Sequence, residues 1–100
     1  MLKTKPIIDD KHLDFVRKQP CMISQDGLHC NGEPVVPHHI TFIKDESRMG
    51  GKAGDDKTVP LCAFHHGVLH HMGEKAFWKS WGFPLRSVLR ATIDYYLRSK

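Results

Sequence analysis

Cys62-Ala63-Phe64-His65 is the feature that most restricts what this chain can become. A Cys-x2-His pair lets a single turn close two ligands on one tetrahedral ion. Cys21 and Cys30 can supply the other two ligands, which gives a Cys3His set. Their separation is wider than the usual knuckle, so the intervening residues have to loop out. The chain has 100 residues, and a domain of that size has a thin core that gains much from a metal staple. Structural zinc on Cys21, Cys30, Cys62 and His65 is therefore expected to be part of the folding free energy. Two other readings stay open on the residues alone. The cysteines can be buried thiols with an incidental histidine, or Cys21 and Cys30 can pair and leave Cys62 over. An odd count argues against a plain secreted disulfide framework.

Eight histidines are present, and four of them are spaced for a second site. His66 and His70 lie four apart on an expected helix, so their imidazoles share one face. His38 and His39 are adjacent in an expected strand and point to opposite faces. Three histidines with open positions for water and phosphate can bind a divalent cation. The fourth is then directed elsewhere and is left to act as a base. His71 points off the His66/His70 face and reads as a surface or supporting residue. His12 and His29 read as structural or solvent-facing, and His29 could substitute for Cys30 as a ligand.

One domain is expected over residues 1–100, with a core at 20–73, an N-terminal arm and helix at 1–19, and a helical segment at 74–100. Asp10 is the expected cap of a helix over Lys11–Lys18, which Pro20 ends. Val35–Ile43, broken by Pro37, and Val59–Leu61 read as short strands. A Gly-rich, charged loop over Lys44–Lys57 lies between them. After Cys62 the pattern gives a helix, a break at Gly73 and a second helical piece. A last helix follows Pro84 with an apolar stripe of Leu85, Val88, Leu89, Thr92 and Tyr96. The class that follows is α+β. Trp78 and Trp81 are expected to pack the last helix onto the core.

The formal net charge is +4. Residues 1–50 carry seven basic and seven acidic side chains, while residues 51–100 carry eight and four, so the excess lies in the second half. This permits nucleic-acid contact without requiring it. The candidate phosphate contacts are Lys44, Arg48, Lys52 and Lys57 in the loop and Arg86 and Arg90 on the last helix. Such contacts give salt-dependent, largely sequence-neutral affinity. The length excludes a barrel enzyme or a two-domain dinucleotide-binding enzyme. Met1–Lys18 has no apolar stretch of the signal-peptide kind, and no run reaches membrane-spanning length. A soluble, cytoplasmic protein is expected.

Taken together, LDFVRKQPC, PHHI, GGKAGDDKTVPLCAFHH and HHMGEKAFW resemble the HNH nuclease superfamily, with its ββα-metal (His-Me finger) core. More narrowly they resemble phage-type HNH proteins, a group that includes recombination-enhancement nucleases. The likeness covers about residues 10–82. It implies a small zinc-stabilised ββα-metal domain with flanking helices, acting in the cytoplasm of a bacterial host if phage-encoded. It places metal ligands at His38, His66 and His70, and the water-activating general base at His39. It assigns the structural zinc to Cys21, Cys30, Cys62 and His65. The family's middle asparagine falls on Lys57. Asp56 beside it is the expected substitute that orients His39, and Lys57 is then a candidate for phosphate contact.

The implied reaction is metal-dependent hydrolysis of a DNA phosphodiester, with Mg²⁺ or Mn²⁺ as the catalytic cation and Zn²⁺ or Ni²⁺ as tighter-binding alternatives. The products should carry 5′-phosphate and 3′-hydroxyl ends. A recombination-protein partner is implied by the resemblance alone, and a monomer and a homodimer are both compatible with the sequence. Two alternatives remain at this level: a catalytically degraded HNH-fold module that binds DNA, and a structural zinc protein that bridges other proteins.

Overall fold

The computed structural model describes residues 7–23, 34–42 and 54–100. Its elements are helix α1 (Asp10–Arg17), strand β1 (Val35–His39), strand β2 (Thr58–Cys62), and helices α2 (Ala63–Met72), α3 (Glu74–Ser80) and α4 (Leu85–Arg98). Among the described residues the fold is α+β: a two-stranded antiparallel sheet with four helices. Most of the expected knuckle and most of the charged loop, with Cys30, His29, Lys44, Arg48 and Lys52, lie outside the described residues.

Two prolines face each other in the sheet, Pro37 opposite Pro60. Proline has no N–H to give a ladder, so the pairing must place both where none is needed. It does. The Pro60 carbonyl points away from β1 and accepts from Met22 N–H at 2.9 Å. Pro37–Pro60 is therefore a non-hydrogen-bonded pair, and the bonded pairs alternate outward from it. The alternation holds at both ends: Ala63 N–H donates to the Pro34 carbonyl at 2.8 Å, and Ile40 N–H to the Lys57 carbonyl at 3.1 Å. Pro37 thus continues the strand rather than breaking it, and β1 stops at His39 instead of running to Ile43.

This register sorts the side chains. Val36 and His38 share one face with their partners Leu61 and Val59. Val35, Pro37 and His39 share the other with Cys62, Pro60 and Thr58. Helices α2 and α3 cover the His38 face. Helix α1 covers the Thr58 face, where His12 Nε2 lies 3.4 Å from Thr58 Oγ1. All five residues of β2 are buried as a result. Ile23, Ile40, Val59, Leu61, Leu69, Phe77, Trp78 and Val88 form the core. Fully burying an aliphatic or phenyl side chain of this kind contributes about 1.5–3 kcal/mol.

Helix α1 starts one residue before the expected position. Its cap is Asp9, whose Oδ1 accepts from His12 N–H at 3.0 Å, and Asp10 lies in the first turn instead. Helices α2 and α3 are joined by Gly73 alone, at φ 93° and ψ 142°, a conformation that glycine reaches without strain. Gly54, before β2, is needed for a different reason. A Cβ there would come within 2.7 Å of Ile7 N and 2.8 Å of Asp56 Oδ1. Among the described residues, no helix is long and apolar enough to cross a membrane.

Candidate metal centres

Cys62 ends β2 and caps α2, its Sγ accepting from His65 N–H at 3.5 Å. A sulfur at a helix N-terminus meets the positive end of the helix dipole. His65 Nδ1 lies 3.1 Å from Cys62 Sγ and 3.9 Å from Cys21 Sγ. Ile23 N–H points at Cys21 Sγ from 3.4 Å, a second amide on a sulfur of the cluster. One ligand atom from each of Cys21, Cys62 and His65 lies within 4.8 Å of the others, and all three residues are buried. Three of the four expected zinc ligands therefore converge, and Cys30 lies outside the described residues. The Trp81 ring lies against the cluster edge-on, its centroid 5.6 Å from that of the His65 ring.

His66 follows His65 on α2 and turns the opposite way. One ring nitrogen from each of His38, His66 and His70 lies within 4.8 Å of the others. His66 Nε2 and His70 Nε2 are 3.1 Å apart. His38 is buried, His66 half-buried and His70 exposed, so the group opens to solvent on one side. Burial lowers the His66 pKa, and the neighbouring His38 and His70 rings lower it further. Three imidazoles at these distances suit a divalent cation, because their lone pairs repel unless a cation or proton lies between them. The donor set fits the group expected here.

The side chain that anchors this triad is one the sequence did not flag. Glu74, the first residue of α3, is buried with Oε2 at 3.0 Å from His38 Nε2. The same oxygen accepts from Trp78 Nε1 at 3.0 Å, and Oε1 accepts from Thr41 N at 2.7 Å and from the Thr41 hydroxyl. Burial pushes the carboxyl up, but these donors outweigh it and bring its pKa down to about 2. A glutamate in the first turn of a helix with tryptophan four residues on was the available signal.

His39 lies on the opposite face of β1, and its Nε2 is 2.8 Å from Asp55 Oδ1. The expected partner was Asp56. Asp56 instead binds Lys57, with Nζ 2.8 Å from its Oδ2, while its Oδ1 is buried and has no partner among the described residues. The correction comes from the turn at 54–57. Asp55 N–H is held by the Ile7 carbonyl at 2.8 Å, and Asp55 Oδ2 accepts from Asp9 N–H at 2.8 Å. Those two backbone contacts aim the Asp55 carboxylate at His39. Burial raises the Asp55 pKa, and the His39 and Asp9 hydrogen bonds overcome this and hold it below the usual value. Lys57, tied to Asp56, is partly buried. Arg86 and Arg90 are exposed on α4, as is His71 on α2.

Residues 2–98 match the family described as "Protein of unknown function (DUF968)". The chain belongs to that family. A curated relative, the uncharacterized protein YdfU of Escherichia coli (strain K12), is 33% identical over 89 residues. The alignment covers 88% of this chain and 23% of the relative, so the chain spans about a quarter of that protein's length. No solved structure matches.

Proposed function

We propose that this domain is a metal-dependent endonuclease of HNH type, hydrolysing DNA phosphodiester bonds. The observation that carries the reading is the pairing of a solvent-open His38–His66–His70 triad with a carboxylate-held His39 on the neighbouring position of the same strand. The order of strand, strand and helix that presents them also fits the HNH resemblance of the sequence. A divalent cation held by the triad would stabilise the charge that develops on phosphate oxygens during hydrolysis. Asp55 engages His39 Nε2, which leaves Nδ1 as the basic atom. Neutral His39 then takes a proton from the attacking water at Nδ1, and Asp55 stabilises the resulting imidazolium. The phosphate gains the water oxygen, the bond to the 3′ oxygen breaks, and that oxygen takes a proton from solvent water, giving 5′-phosphate and 3′-hydroxyl ends. Cys21, Cys62 and His65, with Cys30, hold structural zinc in this scheme. Exposed Arg86 and Arg90 lend the domain positive charge for the DNA backbone.

The test is a plasmid-nicking assay with added Mg²⁺ or Mn²⁺, using protein purified without chelator. Wild type should nick, and His39→Ala should not. Asp55→Asn should slow nicking by about 10–100-fold, the usual cost of losing a partner that orients such a histidine. No nicking by wild type, alongside salt-sensitive DNA binding, would replace this reading with the binding module.

A further inference from the structure

Both oxygens of Glu74 are already met by donors. Oε1 accepts the Thr41 N–H and hydroxyl, and Oε2 accepts the Trp78 indole N–H, a group that can only donate. His38 Nε2 lies 3.0 Å from that same Oε2. A carboxylate surrounded in this way has no proton to offer, so the bond requires His38 Nε2 to be the donor. A neutral imidazole has one N–H and one lone pair, which puts the His38 lone pair on Nδ1. Glu74 itself stands outside the group of ligand atoms that His38, His66 and His70 bring together.

We propose that Glu74 is the positioning residue of the open site, holding the His38 proton on Nε2 and thereby committing Nδ1 as the ligand atom. This rests on reading the triad as a cation site. It goes further by naming the side chain that sets the tautomer and the ring plane. A histidine whose far nitrogen donates to a carboxylate is a more basic ligand with one allowed orientation. Glu74 is in turn held from two sides: Trp78 grips it from its own helix, and Thr41 from the segment that follows β1. The carboxylate therefore ties α3 to the strand through the metal ligand between them.

Two measurements on the full chain test this. In long-range ¹H–¹⁵N spectra of wild type without added Mn²⁺ or Ni²⁺, His38 should show a protonated Nε2 and a lone-pair Nδ1. A protonated Nδ1 overturns the proposal whatever any variant does, and this result decides alone if the variants do not fold. The second is calorimetric titration of Glu74→Gln and Glu74→Asp with Mn²⁺ and Ni²⁺, with far-UV circular dichroism and zinc content as controls of folding. Glu74→Gln should bind about 10–100-fold more weakly and show mixed His38 tautomers, and Glu74→Asp should recover part of the loss. Unchanged affinity in folded Glu74→Gln overturns it. So does complete loss in both variants with the His38 tautomer preserved, which would make Glu74 a direct ligand. Neither measurement uses nucleic acid. A wild type that fails to nick but shows the stated tautomer would sink the nuclease reading and leave this one standing.

Discussion

His12 sits in the core with polar atoms at both ring nitrogens and aromatic rings around it. His12 Nδ1 lies 2.8 Å from Ser99 Oγ, whose hydroxyl donates to the Tyr96 carbonyl. The Tyr96 ring meets the imidazole edge-on at 4.9 Å between centroids. Burial lowers the His12 pKa from its ordinary 6.5; the Asp9 carboxylate opposes this more weakly, and the Lys100 ammonium adds to it. The unfolded chain therefore takes up this proton first as pH falls. The stabilisation is complete above 6.5 and is lost as pH drops toward the folded value, with a slope of at most about 1.4 kcal/mol per pH unit. Urea midpoints between pH 8 and pH 5 should fall for wild type, and His12→Phe should remove that part of the slope. Single residues also mark the limit of what the sequence could reveal. His66 and His70 were legible as a pair because the helix period puts them on one face, and the strand period set His38 and His39 on opposite faces; the choice of His38 as their companion came from the family resemblance. Whether Asp55 or Asp56 faces His39 was not legible, because neighbours in a turn are sorted by its backbone contacts, here with Ile7 and Asp9. Glu74 was hidden by distance, 36 positions from the ring it holds.

At the scale of elements, the α2–Gly73–α3 joint decides whether Glu74 arrives beneath His38. Space around Gly73 is open, so Gly73→Ala meets no clash, and its cost is conformational. A residue with a Cβ at φ 93° and ψ 142° should lose about 1–3 kcal/mol and move Glu74 off its ring. Gly67 gives the opposite sign. It lies inside α2, also with nothing near its missing Cβ, and Gly67→Ala should add about 1 kcal/mol by helix propensity. Thermal melts of the two variants check both signs. The sequence marked this joint plainly because glycine after a helical run is a strong stop signal. It was less clear about β1, where Pro37 read as a break. The structure places Pro37 opposite Pro60 at a pair that exchanges no hydrogen bonds, so neither ring costs the ladder anything.

For the molecule as a whole, the described core is small, and the Cys21–Cys62–His65 cluster sits where β2, α2 and the segment after α1 meet. Structural zinc binds such clusters with about 10–16 kcal/mol, against the roughly 5–15 kcal/mol that holds an ordinary domain together. With zinc on this cluster as proposed, a strong chelator should unfold the chain, as should Cys62→Ser; helicity by circular dichroism with zinc content reads both. The α+β class and the order of elements were legible because turns and caps announce them. Which residues of β2 share each histidine's face was not, since that depends on a register that only pairing fixes. His65 and His66 are consecutive on α2, yet one serves the buried cluster and the other the open triad. If both groups hold a cation as proposed, each ion braces the same helical turn, and thermodynamic linkage makes any effect of one on the other's affinity equal in both directions. On that reading a single helical turn makes the supply of one ion a matter for the binding of the second.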